Sequence, residues 1–266
     1  MKKQSIGIIC VLVMMAGIVS CGKKVNQPIL QQPVSGKLAK VSFGGGYSDS
    51  FYYRQDGKLD KIIIFSDLGG TTYKEVYQFA YNSIGKVSSV KIENGDEFRY
   101  AYVNDQVTAV SRYVNGVKES YKFINYVGGG TRLESVEEYE KTSPGAIGFA
   151  YTFKQEYTYH TDGNLKEEIR YQIDQNGQSK KYQTTRYENY DQHLNVDNTF
   201  RYFLYLSGVP VTVNNPTKIT RRDEIAGTEQ VYNYQFTYNA KATPVKRTMS
   251  TGPIGSVETE VIYSYY

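Results

Sequence analysis

Between residue 38 and the end of the chain, apolar and polar side chains alternate with a period of two. Tyr77, Phe79 and Tyr81, for example, are separated by single polar or small residues. The clearest stretches of this kind are 73–81, 97–102, 151–159, 168–174 and 232–238. Such alternation is typical of antiparallel strands that bury one face and expose the other. The chain is therefore predicted to be all-β.

Dipeptides that tolerate a positive φ angle separate these stretches and favour tight hairpin turns. They are Asp56-Gly57, Asn94-Gly95, Asn115-Gly116, Asp162-Gly163 and Asn176-Gly177. The result is one long antiparallel β-meander of roughly 14 to 16 strands. Since flat open sheets rarely exceed about ten strands, we expect the meander to curl into a barrel or half-barrel.

The hairpins also form an internal repeat, in which an aromatic strand end is followed by a glycine turn and an aliphatic strand start. Phe51-x-Tyr53-x3-Gly57-Lys58-Leu59 is matched by Phe79-x-Tyr81-x3-Gly85-Lys86-Val87 and by Tyr157-x-Tyr159-x3-Gly163-Asn164-Leu165. Another aliphatic residue follows three positions later in the first two copies and four positions later in the third, namely Ile62, Val90 and Ile169. The aromatic strand ends Tyr53, Tyr81, Tyr102 and Phe123 then mark one hairpin each.

This unit resembles the YD-repeat class of large bacterial surface and toxin-shell proteins, although Asn82, His160 and Asn239 occupy positions where that class has aspartate. The arrangement as a whole is similar to a family of Gram-negative envelope lipoproteins with a porin-like β fold. The similarity extends over most of the repeat-containing region and is most specific in segments 215–220, 234–239 and 244–246. It implies a barrel architecture and supplies no catalytic residues.

One segment departs from the period of two, because residues 197–208 place apolar side chains on both faces of a strand. Read with helical spacing, the segment predicts a short helix near residues 198–207 that covers the sheet or plugs a barrel mouth. A doubly buried strand is the alternative. Binding residues of a meander are expected in its rim loops, and this is the longest irregular stretch. We therefore predict ligand or partner contacts at Arg201, Tyr202 and Tyr205, unless the segment only completes the core.

The N-terminus has the pattern of a lipoprotein signal peptide. Lys2 and Lys3 precede an apolar run of 14 residues, Ile6–Val19. That run is shorter than the roughly 20 residues that span a bilayer. Ile18-Val19-Ser20-Cys21 resembles the bacterial lipobox, so Cys21 is the predicted lipidation site. We expect a signal peptide at 1–20, a lipidated and flexible tether at 21–37, and a single β-domain at 38–266.

Charge refines the expected location. Loss of the two signal-peptide lysines lowers the net charge from +4 to +2, and no basic block follows, which argues against a nucleic-acid partner. Surface-exposed lipoproteins of some Gram-negative groups carry acidic residues after the lipidated cysteine, whereas Lys23 and Lys24 stand here. We expect a lipid-anchored outer-membrane protein that faces the periplasm.

The sequence contains few of the residues that catalysis or metal binding requires. Both cysteines lie within the first 21 residues, which excludes a disulfide framework, a cysteine metal site and a cysteine nucleophile from the β-domain. Nucleophile-elbow and phosphate-loop motifs are absent from the sequence. Glu137-Glu138 and Glu167-Glu168 are adjacent on strands, so the two carboxylates of each pair are expected on opposite faces. We predict no enzymatic activity, no cofactor and no metal.

The 27 tyrosines and 11 phenylalanines allow two interpretations. They fill a wide core, or they form a surface that stacks on sugar rings, for which the absence of tryptophan is unfavourable. The favoured function is a non-catalytic, lipid-anchored envelope protein that binds or scaffolds an envelope protein or glycan. One alternative is a carrier of a glycan or small ligand in a tyrosine-lined cavity. The other is an outer-membrane-inserted barrel, which is disfavoured because tyrosine hydroxyls in mid-bilayer are costly.

Overall fold

The computed structural model is a closed antiparallel barrel in which each strand pairs with its neighbours in the chain and the first strand pairs with the last. It describes residues 36–143, 146–196, 211–251 and 258–266, except for the side chains of Leu68 and Glu258. The strands are β1 Leu38–Gly44, β2 Tyr47–Tyr53, β3 Leu59–Leu68, β4 Thr71–Tyr81, β5 Val87–Ile92, β6 Asp96–Val103, β7 Gln106–Val114, β8 Val117–Tyr126, β9 Leu133–Lys141, β10 Phe149–Tyr159, β11 Leu165–Ile173, β12 Ser179–Leu194, β13 Asn214–Asp223, β14 Glu229–Tyr238, β15 Pro244–Thr251 and β16 Glu258–Tyr265.

The prediction of an all-β barrel is confirmed, and the sheet is fully closed. Closure depends on pairing between β1 and β16, with Leu38 opposite Tyr265 and Val41 opposite Tyr263. A short 3₁₀ turn at Val127–Gly129 is the helical element of the described residues. No helix in this part of the chain is long and apolar enough to cross a membrane. The helix predicted near 198–207 lies outside the described residues.

One face of every strand lines the lumen, and this face holds the core. Val41, Phe51 and Ile62 are completely buried, and Phe79 is 2% exposed. These residues belong to one continuous apolar cluster to which strands all around the barrel contribute. Because side chains alternate across a strand, their neighbours in sequence point outward to solvent. The aromatic strands thus fill a core, as one of the two interpretations of the tyrosine content predicts.

Six tyrosines in the described part of the chain tie the hairpins together at the end of the barrel where the even-numbered strands finish, which we call the tyrosine rim. Tyr81 stands opposite Val87 of the next strand, across a bulge, and its hydroxyl donates to the Leu59 carbonyl of the preceding strand at 2.7 Å. Each such bond therefore links three consecutive strands. The donor and acceptor pairs are Tyr53–Leu38, Tyr81–Leu59, Tyr102–Val87, Tyr126–Val107, Tyr190–Leu165 and Tyr265–Pro244.

This rim explains the internal repeat and corrects one member of it. The residue that completes the series after Tyr102 is Tyr126, whereas Phe123 lies on the outer face and is 44% exposed. The spacing lengthens because β7 and β8 are longer than β5 and β6, and a bulge beside Tyr126 turns its ring inward. In several of the turns glycine adopts a positive φ, as at Gly57 with 84°.

The rim bonds give a direct stability prediction. We expect Tyr81→Phe to lower the free energy of unfolding by about 1 kcal/mol, because the substitution removes one hydrogen bond and leaves the ring in place. The melting temperature should fall by about 2–4 °C. Tyr52→Phe is the control, since Tyr52 points outward and is 39% exposed. Equal melting temperatures for the two variants would show that the rim bond contributes nothing.

Candidate functional site

The lumen changes character along the barrel axis. Near the tyrosine rim its side chains are apolar and buried, whereas toward the opposite end, which we call the mouth, they are polar and reach water. Phe51 is completely buried. Asp49, which lies two positions before Phe51 on the same strand and nearer the mouth, is half-buried. Arg170 keeps 36% of its side chain accessible, and Arg221 is exposed. The lumen is therefore described as a cup, with a buried apolar floor and with polar, partly accessible side chains toward its mouth.

The floor reveals where the repeat is broken. The residue three positions after each carbonyl that accepts a rim bond faces the lumen, and four of these six residues are aliphatic and at most 2% exposed: Val41, Ile62, Val90 and Val110. The other two are Glu168, which is 3% exposed, and Arg247, which is half-buried. Ile169, the aliphatic residue expected there, points outward between Glu156 and Thr184. Two charges thus replace apolar floor residues on β11 and β15.

Glu168 is the centre of a hydrogen-bonded group. The Arg170 Nε donates to it at 2.5 Å, and the Tyr187 hydroxyl donates at 3.2 Å. Burial disfavours the charged guanidinium, but attraction and hydrogen bonding to Glu168 outweigh this and raise the pKa of Arg170 above its ordinary value. Glu167 faces outward and pairs with Arg186 at 3.1 Å, so the predicted separation of the two neighbouring glutamates is confirmed.

Polar residues continue along the wall on both sides of Glu168. On β8 and β9, Lys122 pairs with Glu138 at 2.9 Å. On β12, the Gln183 side-chain amide donates to the Thr185 hydroxyl at 3.1 Å. Glu168, Thr185 and Arg221 are register partners across β11, β12 and β13. The side chains of these three strands therefore share one lumenal surface.

Acidic side chains line the lumen on β2, β4 and β6, where Asp49, Glu75 and Asp96 are half-buried. Asp96 pairs with Arg112 at 2.7 Å. Asp49 stands between Val41 and Ile64 of the adjacent strands, and burial raises its pKa from 3.8 to about 6. The cup consequently has an acidic side at β2–β6 and a guanidinium-rich side at β11–β15.

The raised pKa of Asp49 predicts pH-dependent stability. The folded state holds this proton more tightly than the unfolded chain, so the contribution of Asp49 is most favourable below about pH 4 and is lost as the pH rises through 6. We expect Asp49→Asn to stabilise the protein at pH 8 by about 1–2 kcal/mol, allowing for partial solvation, or about 3–5 °C.

The gain should disappear near pH 4, which melting curves of both proteins across this range would measure. Asp105→Asn in the exposed β6–β7 turn is the control. A gain that is constant with pH would contradict an ionisation effect.

An aromatic cluster lies on the outer face of β8–β10. Tyr121 and Tyr139 stack with ring centroids 4.8 Å apart, and Tyr139 and Tyr151 follow at 5.1 Å. The Lys118 ammonium lies 4.1 Å from the Tyr121 ring centroid. A sugar would need the ring faces, and here the rings and the lysine already cover them. The outer cluster is therefore a poor glycan platform.

The predicted contact residues Arg201, Tyr202 and Tyr205 lie outside the described residues, as does Cys21. The flanks of that segment are anchored by a polar network. Asn215, which is 1% exposed, donates to Asp191 at 3.3 Å and to the Tyr238 hydroxyl at 3.1 Å, and Tyr238 in turn donates to Asp191. The network contains Asn215 and Tyr238 from the most specific sequence segments, and its hydrogen bonds hold the ends of β12, β13 and β14 together.

The outer wall carries charges on strands all around the barrel. Arg99 pairs with Glu97 at 2.6 Å, Lys154 with Glu156 at 2.7 Å, and Lys218 with Glu188 at 2.9 Å. Lys61 and Lys91 also face outward. Within the described part of the chain, no three His, Cys, Asp or Glu side chains are placed to hold a metal ion.

Comparison with known proteins defines the fold alone. It is a porin-like fold. A porin-like protein from Bacteroides uniformis ATCC 8492 superposes with a TM-score of 0.56 at 12% identity, over 86% of this chain and 95% of the other. A porin-like protein from Bacteroides vulgatus ATCC 8482 gives 0.51 at 14% identity, over 86% and 98%. No protein-family model matches the sequence, and no curated protein is significantly similar to it.

Proposed function

We propose that this protein is a non-catalytic, lipid-anchored component of the cell envelope whose barrel lies outside the hydrocarbon layer and binds a ligand at its mouth. The observation that carries the proposal is the distribution of polarity. Charged side chains occur on the outer wall all around the barrel, and the lumen is apolar and buried at one end and polar and partly accessible at the other. The porin-like neighbours support an association with the envelope.

An inserted barrel is the alternative, and the outer wall argues against it. Membrane barrels present an apolar band about 25 Å tall to lipid, and each lysine or arginine at mid-depth costs about 2–4 kcal/mol. Here Lys61, Lys91 and Lys154 occupy outward positions within strands. A lipid anchor at Cys21 would hold the protein at the membrane without any such cost.

The anchor also suggests an orientation. The chain enters the barrel at Leu38, which belongs to the tyrosine rim. In the described connections at this end the basic residues are Lys37, Arg54, Lys58, Lys86, Arg132 and Lys241 and the acidic ones are Asp56, Asp105 and Asp162, while Asp60 and Asp191 lie on the adjoining strand ends. The excess of basic side chains in these connections favours contact with anionic lipid headgroups. A flexible tether of residues 22–37 would span about 20 Å. The tyrosine rim would then face the bilayer, and the mouth would face away from it.

Two measurements test the proposal. The barrel closes within residues 38–266, so a chain that starts at residue 22 keeps every strand. We expect this chain to be monodisperse without detergent, whereas an inserted barrel would aggregate. In cells, the full chain should fractionate with membranes and carry acyl groups by mass spectrometry, and Cys21→Ala should release it. A Cys21→Ala variant that stays in the membrane fraction would refute the anchor.

A further inference from the structure

Two arginines, Arg170 on β11 and Arg221 on β13, flank β12 on the lumenal face of the barrel. Arg170 stands opposite Gln183, and Arg221 stands opposite Thr185. Arg221 lies over the Tyr232 ring, with its Cζ 5.6 Å from the ring centroid. Two guanidinium groups, an amide and a hydroxyl therefore share one surface near the mouth.

The hydrogen bonds leave the charged ends of these arginines available. Arg170 uses Nε to reach Glu168, which fixes the side chain and leaves its two terminal nitrogens for another acceptor. Arg221 forms no ion pair with any carboxylate of the described residues. The patch holds two guanidinium groups and two carboxylates, because Asp223 stands opposite Gln183. The Asp223 carboxylate accepts hydrogen bonds from the backbone N–H groups of Ile225 and Ala226, and Glu168 is held by Arg170 and Tyr187, so neither carboxylate pairs with Arg221. Partial burial of Arg170 makes its electrostatic contacts stronger than they would be in bulk water.

The replacement of an aliphatic repeat residue by Glu168 has a chemical consequence. A floor residue that is aliphatic on β1, β3, β5 and β7 is Glu168 on β11, and it holds an arginine in position. A buried ion pair is rarely favourable for stability alone. Exceptions to a repeat of this kind are expected where a protein carries a function.

We infer that Arg170 and Arg221, with Gln183 and Thr185, form a binding site for a ligand that bears an oxyanion. The guanidinium fork matches a carboxylate, sulfate or phosphate group, to which it donates two parallel hydrogen bonds. The wall aromatics Phe153 and Tyr182, whose ring centroids are 6.3 Å apart, provide apolar surface for the ring of a cyclic ligand that carries the anionic group. The inference rests on the proposed binding function and specifies its ligand class. Glu168 acts as a positioning residue.

Calorimetric titration of residues 22–266 tests the site with four probes: inorganic sulfate, inorganic phosphate, trigalacturonate and neutral maltotriose. We expect trigalacturonate or one of the inorganic anions to bind, and maltotriose not to bind. The double variant Arg170→Gln/Arg221→Gln should bind the anion at least tenfold more weakly. Arg222→Gln is the matched control, because Arg222 is the next residue in sequence and pairs outward with Glu224 at 3.2 Å. Its affinity should equal that of the unmodified chain.

Further variants separate charge from geometry. Arg221→Lys keeps the charge and loses the fork, so an affinity between those of the native chain and Arg221→Gln supports bidentate recognition. Arg221 is exposed, so its variants should fold even if those of Arg170 do not. Binding of trigalacturonate without sulfate or phosphate identifies a carboxylate ligand, and the reverse identifies a tetrahedral anion. If no anion binds, or the double variant binds it normally, the site is refuted. Maltotriose binding that survives in the double variant would refute the anion site and leave the binding function intact.

Discussion

Phe79→Ala is expected to destabilise the protein more than any other single change considered. Phe79 is 2% exposed and stands opposite the completely buried Val90 in the floor of the cup. Truncation of a buried phenylalanine removes its burial energy and leaves a cavity, at a cost of about 3–5 kcal/mol. The melting temperature should fall by about 10 °C, measured by circular dichroism.

Phe123→Ala provides the matched comparison, since it removes the same atoms from the outer face. Phe123 is 44% exposed and contacts the Tyr121 and Tyr139 rings edge to face, at 5.2 and 5.7 Å. We expect a loss of about 1 kcal/mol or less. If the two truncations destabilise the protein equally, the assignment of the lumenal face as the core is wrong.

The period of two predicted the strands because it follows directly from side-chain geometry. The same pattern could not decide between a barrel and a half-barrel. Closure depends on pairs such as Val41 with Tyr263, which lie at opposite ends of the chain and carry no local signal. The tyrosine series is visible in the sequence as a spacing. Its hydrogen bonds are not, since a hydroxyl that donates to a carbonyl at the far end of the preceding strand makes a tertiary contact. Phe123 was misplaced for this reason, because bulge positions decide which aromatic turns inward.

Only part of the candidate site could be predicted from the sequence. Glu167 and Glu168 were correctly predicted to face opposite sides, but nothing in the sequence said which one enters the lumen. The sequence places the aliphatic residue of the third repeat copy at Ile169, whereas the repeat position itself, three residues after Leu165, is the charged Glu168. The pairing of Arg170 and Arg221 across β12 required the register of three strands.

Replacement of the Glu168–Arg170 pair should separate function from stability. Glu168→Ala removes the acceptor of the Arg170 Nε and of the Tyr187 hydroxyl, both inside the lumen. Loss of one partner from a fully buried ion pair costs about 3–5 kcal/mol, and the partial exposure of Arg170 lowers the expected cost here to about 2 kcal/mol. The outward Glu167→Ala change, which breaks the exposed pair with Arg186, should cost about 0.5 kcal/mol or less. Urea unfolding of both variants measures the difference.

The double variant Glu168→Val/Arg170→Ile recreates the apolar residues that the repeat already uses at Ile62 with Ile64 and at Val90 with Ile92. Buried ion pairs can be replaced by packed apolar residues with little loss or even a gain in stability. We therefore expect the double variant to regain stability to within about 1 kcal/mol of the native chain while its anion affinity is lost. A double variant as unstable as Glu168→Ala would show that the floor needs the charges for packing. In that case packing would explain why Glu168 replaces an aliphatic residue of the repeat. The replacement would then no longer support an anion-binding site on the guanidinium side of the cup.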